Sequence, residues 1–281
     1  MQAIAGGLGA ALVFATVTLC NSRSSRMIGP GPLLAWVMLI GLAITGPGVI
    51  LEGVPDDLDA ESGAWLVVAG VGNVVGLLLA YAALRSGKVG IVAPLVSTQG
   101  AIAAVIAVIA GESISLAAGI ALAGVACGVF LAGVAPEAES GERHEGRATL
   151  LALGAAVAIG WSLYATARAS IELPVVWALF PSRLIGVAVV TVPVALHSGM
   201  RMSRAALPLV LTSGVCEVLG FALFAWGARD AIAVSAVLAS QFAAIAAVAA
   251  YVLFRERLAP AQVAGVVVVV AGVGALTGIQ T

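Results

Sequence analysis

Acidic side chains are costly in a very apolar chain, so their positions carry information. Of fourteen Asp and Glu residues in 281, thirteen lie in polar breaks or at helix ends. Glu217 is the exception: it sits twelve residues into an apolar run that begins near Ala205. On a helix that is about 18 Å of travel, close to mid-bilayer. A carboxylate there costs several kcal/mol unless paired or protonated. Two roles fit it: a protonatable or ligand-contacting group in a central cavity, or the partner of a buried cation. Arg183 is the only basic residue well inside a run. Its planar fork of donors suits an anionic ligand group. Equally, it can tie to Glu217 or to carbonyls and fix packing, or snorkel to one surface.

Other polar side chains in apolar runs form a second tier. Asn73, Ser97, Gln99 and Gln241 can line a pore or serve as interhelical hydrogen-bonding groups. Trp161 and Tyr164 offer stacking surfaces, or ordinary aromatic packing. Glu112 and Glu256 sit at short turns and read as caps; Glu112 immediately precedes the helix expected to begin at Ser113. Trp65 and Trp226 lie near helix ends, as interface anchors do. Enzyme signatures are missing: there is no Gly-x-Ser-x-Gly elbow and no His-Glu-x-x-His, and the only histidines are His144 and His197. No catalytic residue, metal site or cofactor is therefore expected. Cys20, Cys127 and Cys216 lie in apolar runs and read as small buried hydrophobes.

Hydrophobic residues make up 62% of the sequence and charged ones 10%, against about 25% charged in soluble domains. Lipid must be the solvent for most of the surface. A net charge of −1 argues against nucleic acid as a partner. Ten runs approach the length of a span, near 3–21, 32–51, 64–84, 90–110, 114–134, 148–168, 175–197, 205–228, 231–253 and 260–279. The first has no basic segment before it, so it is expected to be a retained span and not a cleaved signal.

The runs repeat. Asn73–Val134 slides onto Glu217–Gly278 without a gap at an offset of 144. That register pairs Asn73 with Glu217, Arg85 with Arg229, Ser97 with Gln241 and Glu112 with Glu256. An offset of 145 extends the match to the start of each half and pairs Met38 with Arg183. The expected fold is an all-α integral membrane protein of ten transmembrane helices, arranged as two inverted five-helix repeats. The repeats occupy 1–135 and 148–281, joined by a charged linker at 136–147. Gly72/Gly76, Gly124/Gly128 and Gly274/Gly278 have the spacing of close helix contacts.

Ala82-Ala83-Leu84-Arg85-Ser86-Gly87-Lys88, then Ala93-Pro94-Leu95 and Gly111-Glu112-Ser113, resemble the first repeat of the EamA-type transporters. Phe254-Arg255-Glu256-Arg257-Leu258 with Gly265 and Gly272 resembles the second. Arg183 resembles an arginine that this family often carries in the second helix of a repeat; Met38 departs from that pattern in the first half. These are ten-helix members of the drug/metabolite transporter superfamily. The resemblance implies a secondary transporter of a small organic metabolite or drug, in the cytoplasmic membrane. Export by alternating access is expected, with Glu217 as the coupling or substrate group and a proton as a candidate coupling ion. A lipid-linked flippase is the alternative within transport; an integral-membrane enzyme or a receptor is the rival from another class.

Orientation can be read two ways. Loops on one side hold ten Lys and Arg and those on the other hold Arg168 and Arg229, so the charge count puts both termini outside. The resemblance implies cytoplasmic termini.

Overall fold

Backbone N–H and C=O groups in hydrocarbon have no water to bond, so apolar runs must satisfy them internally as helices. The computed structural model describes residues 1–87, 89–113, 115–133, 142–197 and 199–254, together with Ala264, Val267, Val268 and Ala271. Among the described residues every regular element is helical. The first half contributes α1 (Gln2–Ile28), α2 (Pro30–Glu52), α3 (Ala60–Ser86), α4 (Val89–Ser97), α5 (Gln99–Ile109) and α6 (Leu116–Gly133). The second contributes α7 (Glu142–Glu172), α8 (Val175–Gly186), a π-helical turn (Val187–Thr191), α9 (Val192–His197), α10 (Leu207–Ala228), α11 (Ile232–Ala239) and α12 (Phe242–Phe254).

Among the described residues six helical segments are long and apolar enough to cross a bilayer: Gln2–Ile28, Pro30–Glu52, Ala60–Ser86, Gly146–Glu172, Val175–His197 and Leu207–Ala228. Several helices overrun the apolar stretches that announce them. α1 continues to Ile28, and α7 begins at Glu142, inside the stretch expected as a linker. Glu and Arg are good helix formers, so the charged residues extend the helix instead of ending it. Of the run expected at 260–279 only Ala264, Val267, Val268 and Ala271 are described, all helical; Lys88, Arg255, Glu256 and Arg257 lie outside the described residues.

The fourth and ninth runs are each divided in two. Thr98 tightens the first break: its N–H bonds Leu95 O at 3.3 Å and its Oγ1 donates to the same carbonyl at 2.7 Å. At the second, Ser240 Oγ and Gln241 Nε2 both donate to Val237 O, at 2.6 and 2.9 Å. Side chains that claim a carbonyl in this way bend a helix. The two breaks abut: a methyl on Gly100 would overlap Ala236 O and Ser240.

Helix ends are tied across the molecule. α3 starts with a capping box between Asp59 and Ser62, whose hydroxyl and N–H hold the Asp59 carboxyl below its ordinary value. Glu112 caps a helix across the molecule from the one that follows it. Both its oxygens accept the Ala233 N–H at 3.2 Å, at the start of α11 in the other half. Burial pushes the Glu112 carboxyl above its ordinary value, and the Ala233 and Ile232 N–H groups pull it back. Asp230 accepts the Ala3 N–H at the start of α1, the main cause of its lowered pKa. Arg229 donates to Ser170 O and Leu173 O at the end of α7.

Packing exchanges the halves. The first long helix of each lies along the third of the other, α1 on α10 and α3 on α7. The second helices, α2 and α8, pack on each other between them. Gly72 and Gly76 both face α7, at Ser162 and Ile159, whereas Gly124 has no neighbour within 4 Å among the described residues.

Candidate functional site

Where these helices converge, a cavity of about 60 Å³ is lined by α1, α3, α4, α5, α7, α10 and α12. Phe14, Phe221 and Phe242 form an aromatic part of its wall. Phe14 meets Phe221 edge to face at 5.4 Å and Phe242 at 6.5 Å between centroids. Asn21, Tyr81, Gln99 and Glu217 are the buried polar groups of that wall, together with Thr18, which bonds Phe14 O at 2.9 Å.

Those polar groups are under-satisfied. Asn21 Oδ1 accepts Ser213 Oγ at 2.7 Å, but its Nδ2 has no partner. Tyr81 Oη, Gln99 Oε1 and Glu217 Oε1 have none either among the described residues. Tyr81 Oη lies close enough to the Asn21 and Ser213 side chains for a hydrogen bond but is aligned with neither. Each buried orphan costs about 1–3 kcal/mol, so four around one space mark a place meant to be filled. Glu217 is 2% exposed and stands at the centre of α10, ten residues from its first residue and eleven from its last.

Arg183 is fully buried beside this site without reaching its wall. It interacts electrostatically with Glu217, but no salt bridge within 4.0 Å joins them. The direct tie considered from sequence is therefore not made. Instead Arg183 Nη1 points to Met38 Sδ at 4.0 Å, and Cζ lies 5.6 Å from the Phe221 ring centroid. Gly41 makes room for it: a methyl there would lie 2.7 Å from Arg183 Cδ. The repeat partners do the same in reverse, since a methyl on Gly186 would overlap Met38. Arg183 and Met38 thus meet where α2 and α8 cross, each seated on the other helix's glycine.

The remaining candidates scatter. Gln99 lines the cavity, while Ser97 and Gln241 are buried at the two helix breaks. Asn73 is buried in α3 with Oδ1 unpartnered, but does not line the cavity. Trp161 is 46% exposed on the outer surface. Tyr164 packs edge to face on Trp65 at 5.6 Å and borders a separate pocket of about 320 Å³ with Glu112, Arg168, Arg229 and Asp230. Sequence reasoning missed Asn21, Tyr81 and the three phenylalanines. Asn21 marks the edge of an apolar run, and only the overrun of α1 carries it inside.

A family model described as "EamA-like transporter family" matches residues 1–134 and again 146–278. No curated protein sequence matches the chain. A solved structure described as "Crystal structure of protein" is similar in fold, with a TM-score of 0.78 at 17% identity, over 99% of this chain and 96% of that one.

Proposed function

Because the chain belongs to the EamA-like transporter family, we propose that this multi-pass membrane transporter is a secondary exporter of a small organic solute. In this reading two inverted repeats alternate the access of the central cavity, in the cytoplasmic membrane. Glu217 is the group that couples solute to a proton. The observation that carries the proposal is the Glu217 carboxylate, buried in the cavity wall with one oxygen unpartnered. The apposed breaks at Thr98 and Ser240–Gln241 support a rocking motion. A tightened mid-helix turn is a common hinge, and both breaks border the cavity through Gln99 and Phe242. Arg183, Tyr81 and Cys216 are the other titratable groups felt by Glu217. Arg183 does not neutralise the carboxylate by direct contact, so the carboxylate is left to exchange a proton or a ligand. A flux assay in proteoliposomes with a panel of small amines, acids and neutral solutes, with and without a pH gradient, tests this reading. Gradient-dependent movement of one solute class supports it; no movement of any counts against it.

A further inference from the structure

The wall of the central cavity narrows what it takes. We infer that its ligand is a small organic cation: one aromatic ring carrying a protonated amine. The inference rests on the transport reading only in taking this cavity as the solute site.

Charge comes first. Among the described residues Glu217 is the one carboxylic acid in the wall, and no basic side chain lines it. Arg183 stays outside, its guanidinium over Phe221 and held between Met38 and Gly41. Its positive charge lowers the net pull on a cation without offering a donor to an anion. The unpartnered atoms agree. Glu217 Oε1 and Gln99 Oε1 are acceptors awaiting a donor, and Tyr81 Oη serves in either sense. An ammonium brings three donors and no acceptor. Among the described residues Asn21 Nδ2 is the one orphan in this wall that can only donate, and a water beside the amine satisfies it.

Shape comes second. Phe14, Phe221, Phe242 and Tyr81 put four rings on the wall. Aromatic faces favour a cation and also stack a flat ring. The volume of about 60 Å³ holds about four to six waters at ~10–15 Å³ each. As liquid these occupy roughly 120–180 Å³, the bulk of a single-ring amine of about ten heavy atoms. Multi-ring drugs do not fit without displacing the wall.

The test is binding to the purified protein in detergent, followed by calorimetry and by thermal shift. The probes are phenethylamine, 3-phenylpropionate with the same ring and the opposite charge, and hexylamine with no ring. Phenethylamine is expected to bind at least about tenfold tighter than either comparison compound. Glu217→Gln should lose about tenfold of that preference, and Tyr81→Phe severalfold. Tyr81→Phe keeps the ring, so it reports on the site even where Glu217→Gln fails to fold. Equal or tighter binding of phenylpropionate overturns the inference. So does an absence of amine binding at millimolar concentration, or an affinity unchanged in folded Glu217→Gln. Amine that binds but is never carried overturns the transport reading alone; an anion carried by a protein that does not bind amine overturns this inference alone.

Discussion

Arg183 and Met38 occupy equivalent places in the two halves and lie against each other. The arrangement makes Gly41 the seat of a buried charge, because a methyl there meets Arg183 Cδ at 2.7 Å. Gly41→Ala is expected to lower stability by about 1–3 kcal/mol, as overpacking does, measured as a fall in melting temperature in detergent. An unchanged melting temperature would show that the arginine has another place to go. Arg183 and Glu217 interact without touching, so their coupling should be real but smaller than that of a direct pair. In a double-mutant cycle of Arg183→Met and Glu217→Gln, a coupling of about 1 kcal/mol is expected; strict additivity would mean that neither senses the other. Arg183 and Glu217 were legible in the sequence because a charge in an apolar run is rare. Asn21 and Tyr81 were not, since a polar residue at the edge of a run or one hydroxyl on a ring raises no alarm. Their importance comes from what α1, α3 and α10 bring together.

At the level of helices, local chemistry explains what hydrophobicity alone could not. Ten apolar runs predict helices of bilayer length, and six such spans are found among the described residues. Hydropathy is blind to Thr98 and Ser240, which bend the fourth and ninth runs by taking backbone carbonyls. Replacing both with Ala removes those bonds, leaving Gln241 Nε2 on Val237 O, and should relax both breaks. Stability is expected to hold or rise while flux falls; full flux in the double variant would discard the breaks as hinges. Glu112 gives a pH test outside the spans. Its carboxyl is raised by burial, so the folded state holds its proton more tightly than the unfolded chain does. That contribution is fully present below the unfolded value and is lost as pH rises through the raised folded value. The half-buried site makes it small. Glu112→Gln lacks this slope, so melting temperatures taken from about pH 4 to pH 8 should shift in the variant's favour as pH rises. A parallel course for the two proteins would contradict it. That Glu112 caps α11 could not be read from sequence, because the cap crosses between halves.

The whole molecule is two related halves whose first and third helices trade partners, with α2 and α8 crossing between them. The duplication was visible as an offset in sequence; the exchange was not, since an offset says nothing about which helices touch. On the expected ten-span topology ten of thirteen Lys and Arg fall toward one side, so the charge count predicts that both termini face outside. A carboxy-terminal reporter active only in the cytoplasm should stay silent, and a signal would favour the opposite orientation. In the proposed mechanism one carboxylate, in the middle of one helix, couples the motion of the halves. Asn73, its repeat counterpart, cannot ionise, so one proton site per chain is expected. The most direct measurement is pH-gradient-driven flux in proteoliposomes, wild type against Glu217→Gln, at saturating solute and clamped membrane potential. The account predicts that the variant loses uphill accumulation. Wild-type accumulation with unchanged pH dependence would contradict it.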